Sequence, residues 1–444
     1  MSGLKPPSLQ QLGAMLKASG LKEKLLFTLG AMAVYRLGVQ VPVWGVQAHA
    51  LSGFLKSGLG GFLDMFSGGA LGSLSVLALG IGPYITASIM MQLLTVVLPR
   101  LEEMQKDEGE SGRKKIQTYT RYLAVVLALI QSTLIVRLVV NGVGGLMPGV
   151  PESLFWSTAI MSLSAGSLFT MWLAEMITER GIGNGGSLII FMGILAGIPM
   201  YAQQTAKLVS GDPAKSFALL GLLAVFLVMI AFIIVLQEAA RMVYVVSAKK
   251  QVGNKIYGGQ NTHIPFKINP AGVMPIIFAF AVLAFPDTLF NLANPAVGTW
   301  LYQAKLFYGQ YIGPSGWLYG IIMFLMVVFF AFFYASIVPS MQPREIAEQL
   351  KKYGTAIPGV KPGKPTSDKL EEILTRIIWI GASMLALLTL LSSYAPQVFN
   401  ISTLRGLGAT SLIIMVGVAM DTVNQIRVHL MAQHYEGFMK PATR

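Results

Sequence analysis

From Phe217 to Leu236 the chain reads FALLGLLAVFLVMIAFIIVL, 20 residues without a charge or a proline. At 1.5 Å per residue such a helix covers about 30 Å, the thickness of a bilayer's hydrocarbon core. Nine further stretches of comparable character flank it: Leu25–Val43, Leu74–Leu98, Tyr122–Val140, Leu154–Ile177, Gly186–Ala206, Ala271–Asn291, Trp317–Val338, Ile373–Tyr394 and Leu407–Val423. Composition agrees. Of 444 residues, 54% are hydrophobic and 12% charged, with a mean hydropathy of +0.62, where a water-soluble chain needs about a quarter of its residues charged. The sequence therefore predicts an all-α polytopic membrane protein of ten transmembrane helices. The first span holds Arg36 and Pro42 and lacks the apolar segment and small-residue cleavage site of a signal peptide, so it is read as retained.

Basic residues orient the spans. Lys5, Lys17, Lys22 and Lys24 precede the first span, and the connections after even-numbered spans carry Arg100 to Arg121, Arg180, Arg241 to Lys267 and Arg344 to Arg376. The other connections hold only Lys56, Arg137, Lys207, Lys215, Lys305 and Arg405, 6 of the 33 basic residues. The positive-inside rule then predicts that both termini are cytoplasmic. The net charge of +13 is thereby concentrated on one side, where it suits anionic lipid or nucleic acid.

Three segments do not fit a bundle of plain spans. Gly60 to Ala70 (GGFLDMFSGGA) is apolar but too short and glycine-rich to cross. Two placements fit it: a segment dipping among the helices toward a water-filled cavity, or an interfacial loop with Phe62, Leu63, Met65 and Phe66 lying at the headgroups. Gln237–Pro270 and Ser340–Glu372 are long connections predicted to protrude into the cytoplasm. In the first, Tyr244 to Val246 and Ile256 to Tyr257 surround Gly253-Asn254, a hairpin pattern. The second ends in IPGVKPGK, Ile357 to Lys364, a stiff basic tip in which prolines fix φ and glycines permit tight turns. Composition alone reads the tips either as partner surfaces or as solvated loops kept basic by topology.

Enzyme signatures are sparse. The chain has no GxxxxGK[ST], HExxH or GxSxG, no cysteine, and four histidines, His49, His263, His429 and His434. Gly181 to Gly186 (GIGNGG) matches GxGxxG but joins two spans instead of following a strand, so nucleotide binding is not expected there. No cofactor and no metal site are expected, and the chain is read as a non-enzyme whose driving energy comes from a gradient or a partner. Arg36, Glu175, Glu238 and Asp421 fall mainly toward span ends, away from the midplane position of a transporter's polar site.

Several ordered blocks resemble SecY, the channel-forming subunit of the Sec protein translocase. They are MFSGGA (Met65–Ala70) followed by LGIGPYITASI (Leu79–Ile89), EGESGRKK (Glu108–Lys115), TERGIGNG (Thr178–Gly185), YGGQ (Tyr257–Gln260) and PGVKPG (Pro358–Gly363). The resemblance spans nearly the whole chain. It implies two pseudo-symmetric five-helix halves, residues 1–210 and 211–444, around an hourglass pore, with a plug helix at about 61–72. By motif match the pore ring is Ile81, Ile85, Ile190, Ile277 and Ile414, and the plug includes Phe62, Leu63, Met65, Phe66, Ser67, Gly68 and Gly69. A lateral gate lies between spans two and seven, with Thr86 and Gln92 as its polar residues.

The implied function is passage of unfolded secretory polypeptides across the membrane, with lateral release of signal peptides and transmembrane helices into lipid. Implied partners are small SecE and SecG type membrane subunits, the motor ATPase SecA, the ribosome with its RNA, and unfolded preproteins. Arg241, Lys249, Lys250, Lys255 and Lys361 are the partner-binding candidates. The implied location is the prokaryotic plasma membrane, or an internal membrane of thylakoid type. Two departures from the family pattern stand out: Lys361 replaces a usual Arg and loses its bidentate fork, and Gly82 replaces a larger residue. A secondary transporter for a small solute is the alternative class. It requires a polar midplane site, whereas this sequence offers apolar ring residues and large docking loops.

Overall fold

The computed structural model describes residues 20–47, 64, 67–106, 109–142, 145–210, 214–247, 250–252, 255–257, 261–293, 295, 298–313, 316, 318–337, 342–399, 401 and 411–439. The chain forms two compact units, 1–202 with 418–444 and 203–417. The first unit holds α1 (Leu21–Gly38), α2 (Gly82–Val97), α3 (Pro99–Lys106), α4 (Gly109–Arg137, extended by a π turn to Gly142), α5 (Glu152–Arg180) and most of α6 (Gly185–Ser210). The second holds α7 (Ala214–Glu238), strands β1 (Ala240–Ser247), β2 (Lys250–Val252), β3 (Lys255–Tyr257) and β4 (Asn261–Lys267), and α8 (Met274–Ala293). It continues with α9 (Trp300–Phe307), α10 (Tyr319–Ile337), α11 (Pro343–Lys352), β5 (Thr355–Ala356), α12 (Lys364–Val398) and the start of α13 (Ser411–Met439).

The ten expected spans correspond to α1, α2, α4, α5, α6, α7, α8, α10, α12 and α13. Seven of these are long and apolar enough to cross a bilayer, and Gly82–Val97 and Met274–Leu283 are shorter apolar helices. Two spans end differently from expectation. Span one stops at Gly38, and residues 41–47 are non-helical, with a turn at Trp44 and Gly45; span two is helical only from Gly82, so its first eight residues, from Leu74, are not helix. Proline is the cause at both places. Pro42 has no N–H to continue a helix, and Pro83, in the first turn of α2, is tolerated only at a helix start. Leu74 has φ +40° and Gly80 φ +53°, which also break a right-handed helix.

These two non-helical segments satisfy each other. Val43 N–H donates to the Leu74 carbonyl at 2.9 Å, Val76 N–H to the Val41 carbonyl at 2.9 Å, and Pro42 and Ser75 form an antiparallel bridge. Around them Val43, Leu71, Leu74 and Ala78 pack with Val136 of α4, Val139 of its π turn, and Phe155, Ala159 and Leu163 of α5. Close approach is required at Gly166 of α5, where a Cβ would run into the Val76 carbonyl. Small residues at such contacts let backbone lie on backbone, the usual source of adhesion between segments in lipid.

In the second unit the two long connections build one platform. β1 pairs antiparallel with β4, with Val243 opposite Ile264 and Val245 opposite Thr262, while β2 and β3 form a short hairpin around residues 253–254. β5, from the other connection, pairs with β1 through Val246–Ala356 and Ser247–Thr355, giving the order β4-β1-β5. Of the hairpin predicted from sequence, Ile256 and Tyr257 do pair across residues 253–254, with Gln251 and Lys250, but Tyr244 to Val246 pair with His263 to Asn261 of β4 instead. β5 and α11 join the second connection to the first, a union that no sequence pattern announces. Val243, Val245 and Phe266 pack with Ala347 and Leu350 of α11 and with Leu370, Leu374 and Ile377 of α12.

Replacing Gly166 by Val is expected to lower the thermal unfolding midpoint of the detergent-solubilised protein by several degrees, from about 2 kcal/mol of overpacking. Gly30→Ala on α1, where a Cβ meets nothing within 4 Å, is expected to leave the midpoint unchanged or slightly raised.

Candidate functional site

The segment before α2 is a tight turn closed on its own polar groups. The Asp64 carbonyl accepts hydrogen bonds from Gly69 N–H at 2.8 Å and Ser67 Oγ at 2.9 Å. Its carboxylate Oδ1 accepts from Gly72 N–H at 2.7 Å, and Ser67 Oγ accepts from Leu71 N–H at 3.1 Å. Gly68 and Gly69 have φ of +72° and +86°, a left-handed pair that only glycine adopts without strain. A Cβ on Gly68 would lie 3.1 Å from Gly193 Cα of α6, so here too the turn rests on a helix backbone. Phe62, Leu63, Met65 and Phe66 lie outside the described residues.

Helix α1 holds this turn from the side. Tyr35 Oη, 1% exposed, donates to the Ser67 carbonyl at 3.1 Å, and Arg36 Nη1 donates to the Gly68 carbonyl at 2.7 Å. Ser167 Oγ of α5 donates to the Gly80 carbonyl at 3.2 Å. Sequence reading treated Arg36 as a span-end charge; the partner that explains it is a carbonyl 32 residues away, which no periodicity reveals.

The five candidate ring residues share a local setting. Ile81 is the N-cap of α2 and Ile85 lies in its first turn, with Ile85 N–H bonded to the Ile81 carbonyl at 3.1 Å. Ile190 is the sixth residue of α6, and Ile277 and Ile414 are the fourth residues of α8 and α13. Ile81, Ile190, Ile277 and Ile414 are buried and Ile85 is half-buried. Within the first unit, a Cβ on Gly186 would lie 3.3 Å from Ile81 Cδ1, which sets Ile81 one turn before Ile190 along α6. Thr86 and Gln92 are about 120° apart around α2. Thr86 Oγ1 bonds to the Gly82 carbonyl at 3.1 Å and Gln92 Nε2 to Ser88 Oγ at 3.2 Å, so each hydrogen-bonds within its own helix. Gln92 Oε1 is buried without a partner.

Thr178 to Gly186 is a helix-to-helix connection. Asn184 caps α6 through its Oδ1 and Ser187 N–H at 3.0 Å; Ile182 N–H donates to Thr28 Oγ1 of α1 at 3.0 Å, and Gly183 N–H to Gln425 Oε1 of α13 at 2.8 Å. Its amides are thus committed to protein partners. Glu175, another expected span-end charge, accepts from Arg121 Nε of α4 at 2.9 Å and Gln117 Nε2 at 3.3 Å. Among the described residues, no group of three or more His, Cys, Asp or Glu is placed to hold a metal.

On the platform, Arg241 is exposed at the start of β1, and Lys250 and Lys255 stand on the β2–β3 hairpin; Lys249 lies outside the described residues. Lys361 is exposed on a turn bounded by Gly359 (φ +79°) and Gly363 (φ +105°), and its carbonyl accepts from Thr366 Oγ1 at 2.9 Å. The lysine is therefore presented on a fixed backbone.

Known proteins supply the frame. The SecY family model matches residues 75–423. Protein translocase subunit SecY of Synechococcus elongatus is 42% identical over 435 residues, covering 96% of each chain. Two solved structures share the fold at lower identity. A SecY protein described as having a plug domain that stabilises the closed state of its translocation channel aligns with a TM-score of 0.67 at 18% identity, over 99% of this chain and 98% of that one. Sec61 in the canine ribosome-channel complex from the endoplasmic reticulum aligns with a TM-score of 0.64 at 16% identity, over the same shares. With a family model covering most of its length and a full-length relative at that identity, this chain, an integral membrane protein, belongs to the SecY family.

Proposed function

We propose that this chain is the channel-forming subunit of a protein translocase, conducting unfolded secretory polypeptides across a prokaryotic plasma membrane and releasing apolar helices sideways into lipid. The observation that carries the reading is the interrupted second span: a glycine turn and the non-helical backbone after it, largely buried, run through residues 67–81 and end at Ile81, the N-cap of α2. A solute carrier has no use for irregular backbone at residues 67–81 leading into an apolar residue at the head of a span. A channel for polypeptide needs both.

The mechanism follows from what a chain-wide pore must exclude. A narrow passage lined by Ile81, Ile85, Ile190, Ile277 and Ile414 offers water no hydrogen bonds, so it dries when empty and blocks ions, yet its side chains shift rotamer around a threading chain. The two halves, divided near residue 210, flank it, and residues 61–72 stand as the plug. An apolar signal helix leaves between α2 and α8, because lipid solvates its surface as well as protein does; Thr86 and Gln92 supply the polar groups of that seam. Both termini and the platform face the cytoplasm, as the distribution of basic residues supports.

The chain contains no ATP site of its own by motif, so SecA or the ribosome drives transport, docking on the platform. Arg241, Lys249, Lys250, Lys255 and Lys361 provide a cationic surface suited to acidic protein or ribosomal RNA. Subunits of SecE and SecG type complete the assembly.

Reconstitution into vesicles with SecE-type and SecG-type subunits, SecA and ATP is expected to protect a secretory precursor from added protease; a precursor that stays digestible would overturn the assignment. Deleting residues 61–72 is expected to preserve transport and raise resting ion conductance in planar bilayers. Lys361→Glu is expected to cut SecA-driven import by roughly tenfold or more, as a reversed charge at a fixed docking turn costs at least 1.4 kcal/mol, with import assayed by the same protease protection.

A further inference from the structure

The two hydrogen bonds from α1 to the glycine turn differ from the turn's other hydrogen bonds. Those from Asp64, Ser67, Gly69 and Gly72 are internal and travel with the turn if it moves. Tyr35 Oη to the Ser67 carbonyl and Arg36 Nη1 to the Gly68 carbonyl cross from a membrane helix to the turn, and they must break for it to leave. They come from consecutive residues of α1 and end on consecutive carbonyls, a two-point attachment that fixes orientation as well as position.

Their surroundings make them informative. Tyr35 is buried to 1% exposure, and the Gly80 backbone before α2 sits beside both its hydroxyl and Ser67, since a Cβ on Gly80 would lie 3.9 Å from Tyr35 Oη and 3.6 Å from Ser67 Cα. A guanidinium inside a membrane span is costly unless paired, and Arg36 spends a donor on a plug carbonyl. A hydrogen bond in a dry site is worth several times its value in contact with water, because in water both partners are re-solvated once separated. The attachment is therefore strong while the channel is dry and weak once water enters beside it.

We propose that Tyr35 and Arg36 are the positioning residues that latch the plug, setting how often the resting channel opens and tying plug release to wetting of the site. The latch rests on the reading of residues 61–72 as the plug. It predicts that opening is controlled from α1, away from the isoleucine ring.

The test uses the chain assembled with its small membrane subunits in planar bilayers, reading resting ion conductance per channel. Tyr35→Phe removes one hydroxyl and is expected to raise it about fivefold; Arg36→Gln, losing a charged donor, about tenfold or more; Arg36→Lys, which keeps a cationic donor, is expected to restore most of the closure. Each substitution is then repeated in a channel lacking residues 61–72, where it is expected to change nothing further. Conductance unaffected by Tyr35→Phe and Arg36→Gln overturns the latch, and so does an equal rise in the plug-less channel, which would mean that the side chains act on helix packing. If deletion of 61–72 alone leaves conductance unchanged, the plug reading itself fails and the latch with it. Should Arg36→Gln fail to assemble, Tyr35→Phe carries the same comparison.

Discussion

In hydrocarbon a backbone N–H or C=O without a partner costs several kcal/mol, and that constraint governs the first unit. A helix meets it automatically. This chain leaves the helix at residues 39–43 and again at 67–81, and each departure is repaired from elsewhere: strand-like bonds between Val41, Val43, Leu74 and Val76, the Ser167 hydroxyl on Gly80, and Tyr35 and Arg36 on Ser67 and Gly68. The irregular backbone exists because side chains from α1 and α5 complete it. Where those donors are protein side chains, water is chemically able to replace them.

That repair explains the residue types around it. Gly166 brings the α5 backbone against the Val76 carbonyl, and Gly68 brings the turn against Gly193 of α6. In lipid, contacts of this kind supply adhesion that the hydrophobic effect does not, since an apolar side chain gains little by moving from lipid to protein. A segment held by close backbone contact and a few polar bonds is specific in geometry yet modest in total strength.

The platform of the second unit obeys ordinary aqueous rules. Val243 and Val245 face a core shared with α11 and α12, while Met242 and Tyr244 point outward, the alternation of a strand buried on one side. Because β5 pairs with β1, the two long connections are one folded body, and the Lys361 turn is held on it by Gly359, Gly363 and the Thr366 hydroxyl. Side chains carried on a rigid body lose less entropy on meeting any partner than side chains on tethers.

Hydropathy alone located the ten spans, charge asymmetry alone predicted their orientation, and the glycine-rich stretch before span two was visible as something that could not cross. These are local properties, readable because a bilayer demands about 20 apolar residues in succession wherever a helix spans it. Order of motifs added the family. What the sequence did not contain in readable form was the role of Arg36 and Tyr35, the pairing of Arg121 with Glu175, and the union of the two connections through β5 and α11. Each depends on which donor meets which acceptor across 32 to more than 100 residues of chain. Only the tertiary structure decides that, because hydrogen bonds are made by proximity in space, and a sequence records proximity only along itself.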